Sequence, residues 1–245
     1  AVLELPYFPI ATQTYTRQQD LRVQNVLAGI AASLHKFALD FRVLQSPPFG
    51  EWAEPFGQKQ VGSSAMPFKR NPINTENICS LARYVAGLPA VAWDNASQAI
   101  LERSLDDSAN RRLFQAEGFL ATDGLLRRAT RIVAEMVIDE DAIARNMAIY
   151  GPFAATERVL MALVAAGASR QDGHEWIREA SLQAWASLRD GRSNPLVDLL
   201  VNDGRIRQFL TAVQVEELMR AEGHVGTAVS RARTFAQTVR DTIAP

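Results

Sequence analysis

A chain of 245 residues with 47% hydrophobic and 22% charged side chains has enough apolar material for a real core in one or two domains. Its 26 basic residues balance 27 acidic ones, which excludes the basic excess of a general nucleic-acid binder. One cysteine excludes an internal disulfide, the histidines His35, His174 and His224 lack metal-ligand spacing, and no uninterrupted apolar run approaches the roughly 20 residues of a membrane span.

The chain opens on Ala1-Val2-Leu3-Glu4-Leu5-Pro6, which lacks the basic start of a signal peptide, and the protein reads as cytoplasmic. Residues 17–46 read as one long helix, with Val23, Val26, Leu27, Ile30, Leu34, Phe37, Phe41 and Leu44 recurring every three or four positions. Pro47-Pro48 stops it. Residues 47–73 carry further Pro and Gly without clear periodicity, a long loop of the kind that compact proteins keep for function. A second helical run covers about 74–101, with Pro89 as a kink point, and a third covers about 106–136 through Leu113, Phe114, Phe119, Leu120, Leu125, Leu126, Ile132 and Val133. Cys79 falls inside the second run and reads as packing rather than as a nucleophile.

Past Asp139 the pattern shortens, with breaks at Gly151-Pro152, Gly167, Gly191, Asn194-Pro195, Gly204 and Gly223. Alternating β-branched stretches are scarce, so the expected class is all-α: long bundle helices over 1–137, with a loop over 57–73, then a small helical domain over 138–245. Three long helices with apolar residues over much of their surface need cover, from one another in a monomer or from other copies in an oligomeric bundle.

Within the long loop stands Gly62-Ser63-Ser64-Ala65-Met66-Pro67-Phe68-Lys69-Arg70-Asn71-Pro72. Gly62 lets the backbone bend, and Pro67 and Pro72 keep regular helix out. Lys69 and Asn71 bring a cation and an amide that can stabilise negative charge developing on a carboxylate. A serine is a poor base at its free pKa, so Ser63 or Ser64 would need activation, for which Lys69 and backbone amides are at hand. Composition alone favours a surface linker. The eleven residues, however, resemble the signature loop G-S-S-x-M-P-x-K-x-N-P of the fumarase/aspartase superfamily of elimination enzymes. In that family the first serine of the pair is the catalytic base, so the resemblance assigns that role to Ser63, with Ser64 and Met66 as substrate contacts. Glu76 matches the family's glutamate just after the loop. It can orient Lys69 or a partner histidine, and it also suits the positive end of a helix.

Leu101-Glu102-Arg103-Ser104-Leu105-Asp106-Asp107-Ser108-Ala109-Asn110-Arg111-Arg112 suits a phosphate, since arginines give forked, charge-assisted bonds and serine adds a neutral donor. The charges alone favour a solvated helix face with Arg–Asp pairs at i,i+4. The segment resembles the E-R-T-L-D-D-S-A-N-R-R stretch of the adenylosuccinate lyases, with Ser104 in place of threonine, and this assigns a nucleotide grip to Arg103, Ser108 and Arg112. Thr12-Gln13-Thr14-Tyr15-Thr16-Arg17 is similar to the family's T/G-Q-T-Y-S-R run, whose glutamine contacts substrate; Gln13 takes that role. Glu54-Pro55-Phe56 and Ser169-Arg170-Gln171-Asp172-Gly173-His174-Glu175 match further family segments. There Ser169 reads as an N-cap, and His174 as a helix residue rather than a catalytic one.

The resemblance implies β-elimination of fumarate from a small-molecule nucleotide, with no metal and no organic cofactor, and a homotetramer whose active sites are shared between subunits. Full-length family members are nearly twice as long. Their general-acid histidine lies in a T-x-H-x-Q-type segment that this chain does not contain. Another lyase of the superfamily, acting on argininosuccinate or carboxymuconate, and a catalytically inactive oligomerisation scaffold are the alternatives.

Overall fold

The computed structural model describes residues 6–55 and 70–243, which divide into two compact units, 1–140 and 141–245. In the first unit three long helices dominate: α1 (Gln18–Gln45), α2 (Ile73–Ser97) and α3 (Asp106–Glu135). Leu21 of α1 packs with Leu88, Ala92 and Phe114, whereas Phe41 packs with Ile78, Cys79, Ala129 and Ile132. The helices therefore run up, down, up, with α2 antiparallel to the other two. Alanines at the seam (Ala31, Ala38, Ala82, Ala129) let the backbones approach. Phe41, Ile78, Leu125 and Ile132 fill the gaps, each contributing about 1.5–3 kcal/mol on burial. Cys79 is buried in this core, as its position in the helix suggests.

α1 stops where Ser46 turns back, its backbone N–H donating to the Val43 carbonyl. Two residues after α1 and two after α3 form a minimal antiparallel ladder, β1 (Trp52–Ala53) with β2 (Val137–Ile138), in which Trp52 faces Ile138. α2 runs through Pro89 and ends at Ser97, short of the expected 101. The apolar pair Ile100-Leu101 extended the sequence pattern, but both side chains are exposed, and Leu101 sits at φ +48° in the turn that reverses the chain.

In the second unit α4 (Glu140–Ala165) and α5 (Arg170–Arg189) are followed by α6 (Leu196–Asn202), a 3₁₀ turn (Ile206–Gln208), α7 (Ala212–Leu218), a second 3₁₀ turn (Ala221–Val225) and α8 (Ala228–Ile243). Val159, Leu163, Leu196, Leu200, Ile206 and Val215 are its fully buried centre. By length and composition α4 could cross a membrane; Ala155, Val159 and Leu163, at four-residue spacing, form the stripe that it turns to the core of this unit.

The expected break at Gly151-Pro152 does not occur: α4 continues through it. Gly151 is buried, and a Cβ there would stand 2.7 Å from the Ala221 Cβ, so the glycine serves close packing rather than chain reversal. The Asn194 side chain donates to the Ile149 carbonyl at 2.7 Å, beside the turn that the proline perturbs. Gly167 and Gly191, by contrast, adopt positive φ just past the ends of α4 and α5, where a helix C-terminus favours glycine. Ser169 caps α5 by accepting from the Asp172 N–H, and His174 lies exposed on that helix.

Candidate active site

Ser63, Ser64, Met66 and Lys69 lie outside the described residues. The structure does describe the chain on both sides of them. Asn71 is half-buried two positions before α2, and Glu76 is exposed in the first turn of α2, its Oε1 3.9 Å from Arg42 Nη2. Arg42, Trp52, Arg70, Asn71 and Glu76 line a cleft of about 770 Å³.

A helix leaves its first four N–H groups without internal partners. Here the capping residue is Pro72, which has no N–H, and the other three are met. Ile73 N–H donates to the Asn71 carbonyl at 2.9 Å, while Glu76 N–H makes the first regular helix bond, to the Pro72 carbonyl. Asn74 N–H and Thr75 N–H donate to the two carboxylate oxygens of Glu54, at 3.1 and 2.7 Å. The same oxygens accept from the Asn74 side-chain amide at 2.8 Å and the Thr75 hydroxyl at 2.8 Å. Glu54 is only 6% exposed. Its own N–H donates to Gln45 Oε1 at 2.9 Å, and Gln45 Nε2 reaches the Arg70 carbonyl at 3.4 Å.

At the opposite end of the bundle, Thr12, Thr14, Tyr15, Arg17, Arg103 and Asp107 are among the walls of a second cleft, of about 240 Å³. Gln13 is exposed between two of these residues. Arg103 is exposed on the turn that Leu101 introduces. Ser108 and Arg112 share a face of α3, one turn apart, but do not line the cleft. Among the described residues neither Arg103 nor Arg112 has an acidic partner.

The neighbouring charges are paired, though not as i,i+4 neighbours on α3. Asp107 and Arg111 stand at that spacing, yet each turns to α1 and the residues before it. Buried Arg17 donates to Asp107, and Arg111 Nε donates to Asp20 at 2.5 Å. The Tyr15 hydroxyl donates to Asp20 at 2.7 Å and accepts from Arg111, while both guanidinium groups lie 5.1–5.5 Å from its ring centre. Burial alone would raise the Asp20 carboxyl, but hydrogen bonds from Arg111 and Tyr15 and the charge of Arg111 outweigh it and hold it below the usual carboxylate value. Burial, then donation to Asp20, pushes the Tyr15 phenol up. Asn95 and Asn110 exchange side-chain amide bonds at 2.7 and 3.1 Å, tying the end of α2 to α3.

The structure thus places Asn71 and Glu76 at one end of α2, and Arg103 with the 12–17 segment at the other. α2 has 25 residues and is about 37 Å long. Among the described residues no group of three or more His, Cys, Asp and Glu side chains is placed to hold a metal ion.

Sequence reasoning gave Glu54 no role beyond a family match. A signal was available: the residue before α2 is Pro72, which carries no side-chain acceptor, so the helix end had to find one elsewhere.

Two family models match the chain: one described as adenylosuccinate lyase C-terminus, over residues 152–235, and one described as lyase, over residues 3–87. The adenylosuccinate lyase of Schistosoma mansoni is 39% identical over 237 residues, 95% of this chain and 48% of that protein. That of Schizosaccharomyces pombe is 38% identical over 240 residues, 97% of this chain and 49% of that protein. Among solved structures, 3-carboxy-cis,cis-muconate lactonizing enzyme from Pseudomonas putida superposes with a TM-score of 0.79 at 26% identity, over 97% of this chain and 51% of that one. The chain spans about half the length of the curated relatives it matches. By these matches and its all-α fold, it belongs to the adenylosuccinate lyase family.

Proposed function

We propose that the protein releases fumarate from adenylosuccinate, giving AMP, and from the succinyl-carboxamide ribonucleotide of purine biosynthesis. Ser63 removes the proton next to a carboxylate, the electron pair moves onto that carboxylate as a dianion, and it then forms the new C=C bond as the C–N bond breaks. Lys69 and Asn71 hold the dianionic carboxylate that develops before the nitrogen leaves. A histidine that this chain does not carry protonates the leaving nitrogen. Glu76 orients the acid–base groups, Gln13, Ser64 and Met66 contact the substrate, and Arg103, Ser108 and Arg112 grip the phosphate. Identity of 38–39% to adenylosuccinate lyases, against 26% to the muconate enzyme, favours the purine substrate.

The observation that carries the shared-site reading is the length of α2. Asn71 and Arg103 sit at opposite ends of a helix of about 37 Å, too far apart to hold one small molecule. Both can serve one site only if different copies supply them. Exposed apolar residues along the same helices, such as Val26, Trp93, Leu113 and Leu120, supply surface for that association in a homotetramer.

The test uses the full-length enzyme. Ser63→Ala should lose roughly 10²–10⁴-fold in kcat, the range for a general base. Arg103→Ala should weaken nucleotide binding by about 1.5–3 kcal/mol, the range for a bond to a charged group. Co-expressed, the two variants should recover fumarate release at sites that draw the intact serine from one chain and the intact arginine from another. An unmodified protein that releases no fumarate refutes the function and leaves the inactive scaffold. Activity without recovery on mixing refutes the shared site.

A further inference from the structure

An ordinary helix N-cap is local: Ser, Thr, Asp or Asn at the capping position accepts from an N–H two or three residues on. α2 is capped from elsewhere. Its capping position is Pro72, and the acceptor comes from Glu54, 20 and 21 positions away across the loop. A local cap holds a helix end to itself, whereas a remote one fixes it against another part of the chain. The bonds are charge-assisted, buried at Thr75 and part-buried at Asn74, at the positive end of the helix dipole, where a carboxylate is worth most. Gln45, the last residue of α1, extends the arrangement by binding the Glu54 N–H on one side of the loop and the Arg70 carbonyl on the other. Asn71 lies directly between these two attachments, Arg70 before it and Asn74-Thr75 after it.

We infer that Glu54 is a positioning residue for the elimination, fixing the backbone that carries Asn71 relative to the end of α1; this rests on the function proposed above. Glu54 touches no reacting atom. It sets where Asn71 stands when charge develops on the substrate carboxylate, and Gln45 assists.

Glu54→Gln in the full-length enzyme tests this. The substitution keeps the shape but turns an N–H₂ group toward one of the two donor pairs, so that pair loses its acceptor. Because small displacements near a reacting centre are costly, kcat per folded site should fall on the order of a hundredfold, with KM little changed. Asn71→Ala supplies the readout that a merely structural role would not move. If Glu54 acts through Asn71, the double variant should be scarcely slower than Asn71→Ala alone. Losses that multiply would overturn the inference, as would a Glu54→Gln enzyme with normal kcat and only a lowered Tm. Should Glu54→Gln fail to fold, Thr75→Val is read in its place. It removes one of the four donors at nearly constant volume, and the same non-additivity with a smaller loss is expected. An unmodified enzyme without activity refutes the function and this inference together; an active one with an unimpaired Glu54→Gln variant refutes only the inference.

Discussion

At the start of α1 and α3, two arginines, two aspartates and a tyrosine bind one another, guanidinium to carboxylate, across bonds spanning about 90 positions of sequence. At the end of α1 and the start of α2, one buried carboxylate serves four uncharged donors, two of them backbone N–H groups. The first arrangement cancels charge locally, and among the described residues Arg103 and Arg112 have no acidic partner. The second uses the backbone itself as counter-charge, so it fixes a chain position rather than a side chain. The difference teaches where removal hurts: at the first end a deletion strands an opposite charge, and at the second it strands helix N–H groups.

The largest expected effect breaks the first end. Arg17→Ala leaves Asp107 buried with no cation, while its Oδ1 already lacks a hydrogen-bond partner. Removing one member of a buried pair costs about 3–5 kcal/mol. Denaturant unfolding of the variant should show a loss in that range. Replacing both members, as Arg17→Met with Asp107→Leu, should restore most of it. A loss under about 1 kcal/mol, the value of an exposed pair, would mean that this end is wet and that the contrast with Glu54 is false.

A smaller effect separates both ends from the uncharged middle. There Gly118 lies against fully buried Gln24, whose amide atoms have no hydrogen-bond partner. A Cβ on Gly118 would stand 2.7 Å from Gln24 Oε1. Overpacking of this kind costs about 1–3 kcal/mol, offset by up to about 1 kcal/mol from alanine's better helix propensity. Gly118→Ala should therefore lower Tm modestly, and adding Gln24→Ala should relieve the clash. A Gly118→Ala protein more stable than its parent would show that Gln24 swings aside freely.

How much of this was legible in the sequence follows from what each feature depends on. α1 and α3 come out within a residue of their expected bounds because period 3.6 and Pro47 are local signals. The pattern could not say which apolar residues face inward: on α3, Phe114 and Leu125 are buried while neighbouring Leu113 and Leu126 are exposed. Gly151-Pro152 misled because a packing glycine and a breaking glycine look alike until the opposing Ala221 is known. The separation of Asn71 from Arg103 was already implicit in the expected helix between them, whereas the meeting of the 12–17 segment with Arg103 needs the antiparallel run of α2 against α1. Glu54 and the Tyr15–Asp20–Arg111 cluster depend on contacts between distant positions, which carry no local signature.

The smallest expected signal sharpens the comparison through pH, since only the first end is built on cancelling charges. The Asp20 carboxyl is held below its usual value in the folded protein, chiefly by Arg111 and Tyr15 working against burial. A depressed folded-state pKa means that the unfolded chain binds the proton more readily, so stability rises with pH wherever the two states differ. The contribution is present above the unfolded carboxylate pKa of about 4 and is lost as pH falls through the folded value. Asp20→Asn removes this titration. The stability gap between parent and Asp20→Asn, measured by urea unfolding, should be constant from about pH 5 to 7 and narrow steadily below about pH 4 as the parent loses what the variant never had. Other carboxylates titrate in the same range, but they do so in both proteins and cancel in the difference. A gap that stays constant down to the acid limit would mean that Asp20 acts by packing and hydrogen bonding alone, and the two ends would then differ in geometry but not in electrostatics.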